Sequence, residues 1–168
     1  MKQSGFTLIE LLVTMTIVMV MASVAYPLHR VSATRAKEME LRQHLRVMRA
    51  ALDAFKTDWN REGDTLLGTV CLKNRLTCKD VAGPHGYPVS LDVLLGVELT
   101  GQEATIKRIK TRRYLRTLPV DPMTGATKWR MRCYQDPPTA ESWCGTDVYD
   151  VSTLSDGAAA DGTKYRAW

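Results

Sequence analysis

The chain carries few residues in the combinations that enzymes use for catalysis. Its cysteines could pair as disulfides or bind a metal ion, and they are Cys71, Cys78, Cys133 and Cys144. Zinc binding is disfavoured because no Cys-x-x-Cys pair is present and the three histidines are scattered along the chain. The chain also lacks the Gly-x-Ser-x-Gly, phosphate-loop and His-Glu-x-x-His motifs of common enzymes. The sequence therefore predicts a protein that is not an enzyme.

One acidic residue stands inside an otherwise apolar segment. Residues 6–28 are hydrophobic at 17 of 23 positions, and Glu10 is their only charge. A helix of this length spans about 34 Å, which exceeds a bilayer core of about 30 Å. A carboxylate in a spanning helix costs about 2.5–3.5 kcal/mol at mid-membrane. Glu10 is therefore expected either to reach water at the membrane edge or to pair with a positive group on a neighbouring copy.

A cluster of basic residues lies in the second half of the chain. It consists of Lys107, Arg108, Lys110, Arg112, Arg113 and Arg116. Such a cluster is typical of a solvated surface. The alternative, functional interpretation is a contact with acidic partners or nucleic acid. Nucleic-acid binding is disfavoured because Tyr114 is the only aromatic residue within the cluster.

Composition alone describes an ordinary folded chain. Hydrophobic residues make up 45% and charged residues 24%, which excludes a wholly disordered protein, and the net charge is +5. The apolar residues are segregated, however. Residues 1–28 contain only two of the 41 charged side chains. We therefore predict a lipid-compatible segment joined to a polar head.

The segment after the apolar stretch predicts a continued helix. Apolar residues recur at intervals of four and three from Leu41 to Trp59, through Leu45, Met48, Leu52 and Phe55. This spacing is one face of a helix packed against a sheet. Residues 29–60 therefore extend residues 6–28 into one helix of more than 50 residues.

Residues 61–168 are rich in turn signals. Candidate strands cover residues 128–134 and 147–152, and residues 91–95 (LDVLL) predict a short helix capped by Ser90.

Residues 5–12 (GFTLIELL), behind a polar leader containing Lys2, resemble the type IV prepilin signature. The resemblance implies an α+β pilin-like fold, in which a long N-terminal helix packs on a small antiparallel sheet with a C-terminal loop. It also implies cleavage by prepilin peptidase after Gly5 and N-methylation of Phe6. The Phe6 amine of one subunit would then meet the Glu10 carboxylate of its neighbour. Pro27 matches a proline that many pilin-like helices carry, so a kink or local melting is expected there.

Sequence motifs in the head indicate which branch of the type IV pilin-like proteins the chain resembles. Residues 86–88 (GYP), 114–122 (YLRTLPVDP) and the C-terminal Asp/Gly-rich segment with Trp168 are similar to the G-type pseudopilins of type II secretion systems. The chain departs from that pattern at Met123 and Thr124, where Trp-Gly is usual, and in the insertion-like residues 61–83.

The resemblance also implies a calcium site in the C-terminal loop. Asp156 and Asp161 are the available carboxylates, and Leu154 and Ser155 could add oxygens. Two carboxylates in an alanine-rich loop make a thin site. The alternative is a loop closed by hydrogen bonds and by docking of Trp168.

The implied compartment is oxidising, so the cysteines are expected to form disulfides. Among three possible connectivities, we favour Cys71–Cys78 with Cys133–Cys144. Positive-inside counting opposes the implied orientation, because Arg30, Arg35 and Lys37 follow the apolar segment. We nevertheless expect a cytoplasmic N-terminus, because cleavage after Gly5 implies a cytoplasmic leader.

The sequence thus predicts a leader (residues 1–5), a membrane or filament-core helix (6–28), an amphipathic continuation (29–60) and a periplasmic head (61–168). The predicted function is a pseudopilin of a type II secretion filament in a Gram-negative bacterium, first anchored in the inner membrane. Its predicted partners are prepilin peptidase, other copies joined through the N-terminal helix, minor pseudopilins and the inner-membrane assembly platform. The alternatives are a type IV pilin for adhesion, motility or DNA uptake, and a membrane-anchored periplasmic binding module.

Overall fold

The computed structural model describes residues 7–60, 81–98, 108 and 111–168, without the side chains of residues 24, 25, 27, 28 and 60. The chain divides into two compact units, residues 1–39 and residues 40–168. Predictions on Gly5, Phe6, Cys71 and Cys78 lie outside the described residues.

One long helix, α1, covers Leu8–Asn60 and has 53 residues. Thr7 caps its start, because the Thr7 hydroxyl accepts a hydrogen bond from the Glu10 amide at 3.4 Å. The prediction of a single helix of more than 50 residues is confirmed. The local melting considered at Pro27 is absent, since the helix runs through this position. Proline removes only one backbone donor, and its fixed φ is itself helical.

The apolar stripe of α1 forms the centre of the core in the second unit. Its fully buried side chains are Leu41, Leu45, Met48, Leu52 and Phe55. Trp59, the last predicted member, is half-buried and packs against the same core. The predicted stripe therefore identifies the packed face of the helix.

The rest of the second unit forms short elements. The two strands of one antiparallel pair are β1 (Val97–Glu98) and β2 (Thr111–Arg112). The other pair joins β3 (Arg130–Arg132) to β4 (Asp150–Ser152), with Met131 opposite Val151. A long helix with small antiparallel sheets is the predicted α+β pilin-like class. Both predicted strand regions contain a strand, but each strand is only three residues long.

Two short 3-10 helices complete the described elements, Leu91–Leu95 and Tyr165–Ala167. The first confirms a helical turn at residues 91–95, but Ser90 makes no side-chain hydrogen bond to it. The predicted Ser90 cap is therefore wrong. The Ser90 backbone is extended, as is usual at an N-cap, but its hydroxyl makes no hydrogen bond to an amide of this turn.

The turn at residues 118–122 (LPVDP) is held by a buried carboxylate. Asp121 accepts hydrogen bonds from the Thr153 hydroxyl at 2.5 Å and from the Met123 amide at 2.9 Å. The Trp129 indole donates to the Pro119 carbonyl at 3.0 Å. These bonds fix the turn beside β3 and β4 and satisfy the polar atoms that burial would otherwise penalise.

Candidate functional site

The first turn of α1 places Glu10 beside its N-cap. Glu10 is exposed and is the third residue of the helix, so Thr7-x-x-Glu10 has the arrangement of a capping box. A negative charge here also interacts favourably with the helix dipole. The charge of Glu10 is therefore placed where it favours the start of α1, and its role in assembly stays a prediction. The residues expected to be processed, Gly5 and Phe6, lie outside the described part.

The helix that follows presents an unusually apolar surface. Large apolar side chains are exposed by half or more along this stretch: Leu8, Ile9, Leu11, Leu12, Val13, Met15, Ile17, Val18, Met19, Val20 and Met21. Their continuity distinguishes them from the isolated exposed leucines that any protein carries. Contiguous apolar surfaces of this kind mark contacts with other molecules.

Among the described residues, no helix combines the length and the apolarity that crossing a membrane requires.

The head contains one disulfide in the described residues. Cys133 and Cys144 are joined, with their Cα atoms 6.0 Å apart, as the favoured connectivity predicts. Together with Asp147 they are the only group of potential ligands close enough for one metal ion in the part of the chain that the structure describes. Both sulfurs are tied up in the disulfide, so neither can act as a thiolate ligand.

The C-terminal loop is closed by its own hydrogen bonds. The Ala159 amide donates to the Thr163 carbonyl at 2.8 Å, and the Tyr165 amide donates to the Gly157 carbonyl at 3.0 Å. The Trp168 indole donates to the Thr163 hydroxyl at 2.9 Å and its ring meets Tyr165 edge-on. This is the hydrogen-bonded loop with a docked Trp168 that the sequence offered as an alternative.

The two predicted calcium ligands make different contacts. Asp161 accepts hydrogen bonds from the Thr163 hydroxyl at 2.6 Å and from the Thr163 amide at 2.9 Å. These bonds, helped by the charge of Arg42, lower the pKa of the Asp161 carboxyl. Asp156 is exposed, and no cluster of three acidic, cysteine or histidine ligands forms around either residue in the described part. Calcium prefers six to eight oxygens, so these residues fit such an ion poorly.

A network of charges joins α1 to β3, β4 and the C-terminal segment. The Arg49 Nε lies 2.7 Å from Asp150 Oδ1, and an Arg132 nitrogen lies 2.8 Å from Asp150 Oδ2. Arg49 also donates to the main-chain oxygens of Val151 at 3.2 Å and Trp168 at 2.8 Å. Sequence reasoning missed this network, because Arg49 reads as one of several bases off the apolar stripe.

A second missed group lies beside the disulfide. The buried Asp147 carboxylate accepts from the Tyr134 amide at 3.1 Å and lies 3.0 Å from His85 Nδ1. Tyr134 packs in turn against Tyr87 and Tyr149. The Asp147 carboxylate thus joins the His85 ring to the main chain of Tyr134 and stabilises the fold beside the disulfide. The pKa of Tyr87 is raised, first by burial and then by the neighbouring Tyr149.

The basic cluster is partly described. Arg112 lies in β2, where it pairs with Asp58 at 3.3 Å and stacks over the Tyr114 ring. Arg113 and Arg116 are exposed. The described part of the cluster is therefore a strand and a loop, and Lys107 and Lys110 lie outside the described residues.

Residues 1–26 match the family model described as the prokaryotic N-terminal methylation motif. The motif indicates a type IV pilin-like precursor that prepilin peptidase processes. The predicted class of the N-terminal segment is thus confirmed, and its G-type pseudopilin branch stays a prediction. No curated protein and no solved structure matches the chain significantly.

Proposed function

We propose that the protein is a pseudopilin, a structural subunit of a type II secretion filament that supports protein export across the outer membrane. The observation that carries this proposal is the methylation motif followed by an exposed apolar helix whose first turn contains one acidic residue. The subunit itself performs no chemistry in this proposal.

The apolar surface of the helix has to be shielded from water both before and after assembly. We infer that inner-membrane lipid covers it before assembly and that neighbouring copies cover it in the periplasmic filament. Burial of apolar area contributes about 25 cal/mol per Å² when that area is removed from water. Lipid tails are already apolar, so transfer of the helix from lipid to a protein neighbour is close to neutral. A filament that draws its subunits from the membrane therefore needs a specific polar contact to set the register.

Glu10 provides that contact in the proposed filament. Cleavage after Gly5 frees an amine on Phe6, and this cation pairs with Glu10 of a neighbouring copy. A pair of opposite charges is tolerated in an apolar core, whereas either charge alone is costly. The pair therefore selects one axial position between subunits.

The proposal is tested by Glu10→Ala in the native host. The variant is expected to lose its leader normally but to enter sheared filaments at a tenth or less of the wild-type amount. Glu40→Ala is the matched control, because Glu40 is another exposed acid on α1. Normal assembly of Glu10→Ala contradicts the role given to Glu10. Absence of the wild-type chain from sheared filaments contradicts the filament proposal and favours a membrane-anchored binding module.

A type IV pilin is the second candidate, favoured by the loop that the Cys133–Cys144 disulfide closes. The turn at residues 118–122 and the Trp168 tail favour secretion. Deletion of the gene separates the two. Accumulation of exported proteins in the periplasm supports the secretion filament, and loss of adhesion, motility or DNA uptake with normal export supports the pilin.

A further inference from the structure

A cleft of about 270 Å³ opens on the head beside the β3–β4 sheet. Residues of β3, β4 and the C-terminal 3-10 helix line it. Three of the lining side chains are arginines, Arg130, Arg132 and Arg166. Apolar side chains, among them Met131 and Pro138, form part of the remaining wall.

The charges of this cleft do not balance. Asp150 has the only acidic side chain in the lining, and both of its carboxylate oxygens are already bound, one by Arg49 and one by Arg132. Arg130 and Arg166 have no carboxylate partner among the described residues. Like charges that share one site repel each other, and an anion entering from outside relieves that repulsion.

The chemistry of the lining favours a carboxylate. A guanidinium presents two parallel N–H groups that match the two oxygens of a carboxylate, and Asp150 shows that arginines of this region bind that group. The apolar wall suits the methylene stem of an acidic side chain. A volume just below the usual 300–1,000 Å³ of small-molecule sites suits one or two such side chains.

Nucleic acid fits the cleft less well. Binding of single strands relies on free aromatic faces on which bases stack. The only aromatic residue lining the cleft is Trp168, and its ring is covered by the Arg42 guanidinium at 4.1 Å and contacted edge-on by Tyr165. The cleft therefore offers oxyanion recognition without a stacking platform.

We propose that this cleft binds an acidic peptide segment of a partner protein, with Arg130 and Arg166 donating to its carboxylates. Arg49 and Arg132 hold Asp150 and so keep β4 in position beside the incoming segment. The site lies in the head and depends neither on the methylation motif nor on filament assembly.

The test measures binding of a fluorescein-labelled hexaglutamate peptide to the full chain in neutral detergent micelles by fluorescence anisotropy. Arg130→Gln combined with Arg166→Gln is expected to weaken binding at least tenfold. The matched control is Arg113→Gln combined with Arg116→Gln, which removes the same charge from two exposed arginines outside the cleft. The control is expected to bind within twofold of wild type.

Three results would overturn the proposal. The first is absence of hexaglutamate binding to the wild-type chain. The second is an equal loss in both double variants, which would indicate general attraction to a basic protein. The third is tighter binding of an oligothymidylate than of hexaglutamate, lost in the cleft variant, which would assign the cleft to nucleic acid. Circular dichroism and thermal unfolding of each variant establish that the fold is retained.

Discussion

At the scale of single residues, Arg49 joins α1 to the end of the chain. It binds the Asp150 carboxylate and the main-chain oxygens of Val151 and Trp168. We expect Arg49→Met to lower the free energy of unfolding by about 2 kcal/mol, a value reduced by the partial exposure of the pair. Arg46→Met, one turn earlier at an exposed position, should change it by less than about 0.5 kcal/mol. Urea unfolding followed by circular dichroism measures both, and equal effects would contradict the role given to Arg49.

Tyr114 is expected to make the stability of the head fall at alkaline pH. Burial, and next the charge of Asp58, raises the pKa of the Tyr114 hydroxyl above its unfolded value of about 10. The stability gained is therefore full below pH 10 and is lost as the pH rises above it, by at most about 1.4 kcal/mol per pH unit. Tyr114→Phe should cost about 1 kcal/mol at pH 7 through the lost hydrogen bond to Asp58. It should also flatten the pH dependence above pH 10, and an unchanged slope would refute the assignment.

At the scale of elements, the turn at residues 83–86 (GPHG) packs on the end of α1. Gly86 has a φ of 75°, and a Cβ there would lie 2.3 Å from Trp59 Cδ1. Gly86→Ala should therefore destabilise the protein by about 2–4 kcal/mol, since it adds a steric clash to left-handed strain. Gly125 has a φ of 71° with open space around it, so Gly125→Ala should cost only about 1 kcal/mol. Thermal unfolding compares the two variants, and equal losses would mean that Trp59 moves aside.

The C-terminal loop gives a prediction about calcium. A tight site held at a hundred times its Kd would stabilise the protein by about 2.7 kcal/mol. We expect a change in Tm below about 1 °C between millimolar calcium and excess EDTA, because Asp161 is already bound by Thr163. Thr163→Val should lower Tm in both buffers, and Asp156→Asn should change it in neither. A calcium-dependent rise in Tm that Asp156→Asn abolishes would instead support the predicted metal site.

The elements differ in how well the sequence predicts them. The stripe from Leu41 to Trp59 predicted α1 because a helical period repeated over five turns leaves few alternatives. The strands were harder, since β3 and β4 have three residues each and their pairing joins positions 20 residues apart. Ser90 shows the limit of local rules, because a residue of capping type stands before a helical turn without capping it.

The functional residues also differ in how well the sequence predicts them. Glu10 was predictable because one charge in an apolar run is conspicuous whatever the fold. The contacts of Arg49 were not, because they join segments 101 and 119 residues apart in sequence. The arginine cleft was not predictable either, because residues of β3, β4 and the C-terminal 3-10 helix line it and only the folded head brings them together.

At the scale of the whole molecule, the disulfide acts partly through the unfolded chain. Cys133 and Cys144 are 11 residues apart, and closing a loop of that size contributes about 2–3 kcal/mol in the chain-entropy model. Cys133→Ala combined with Cys144→Ala should therefore lower the free energy of unfolding by that amount. Wild-type protein unfolded without reductant is the comparison, since reductant would also open the predicted Cys71–Cys78 disulfide. A double variant as stable as the oxidised protein would show that native packing alone holds this loop.

The averaged properties of the chain conceal its division. A mean hydropathy of −0.20 arises from exposed apolar residues near the start of α1 and a polar head with a compact core. The predicted segregation of charge is therefore more informative than the average itself.

The contacts of Arg49 also set an order of events during synthesis. Its partners are 101, 102 and 119 residues further along the chain. A ribosome adds about 5–20 residues each second, so the helix emerges several seconds before the residues that anchor it. The contacts of Arg49 with the C-terminal segment are consequently complete only after Trp168 has been translated. The other residues of the core also follow α1 in the sequence, so the apolar stripe of the helix is exposed until they emerge, and any factor that keeps nascent chains from aggregating has to act in that interval.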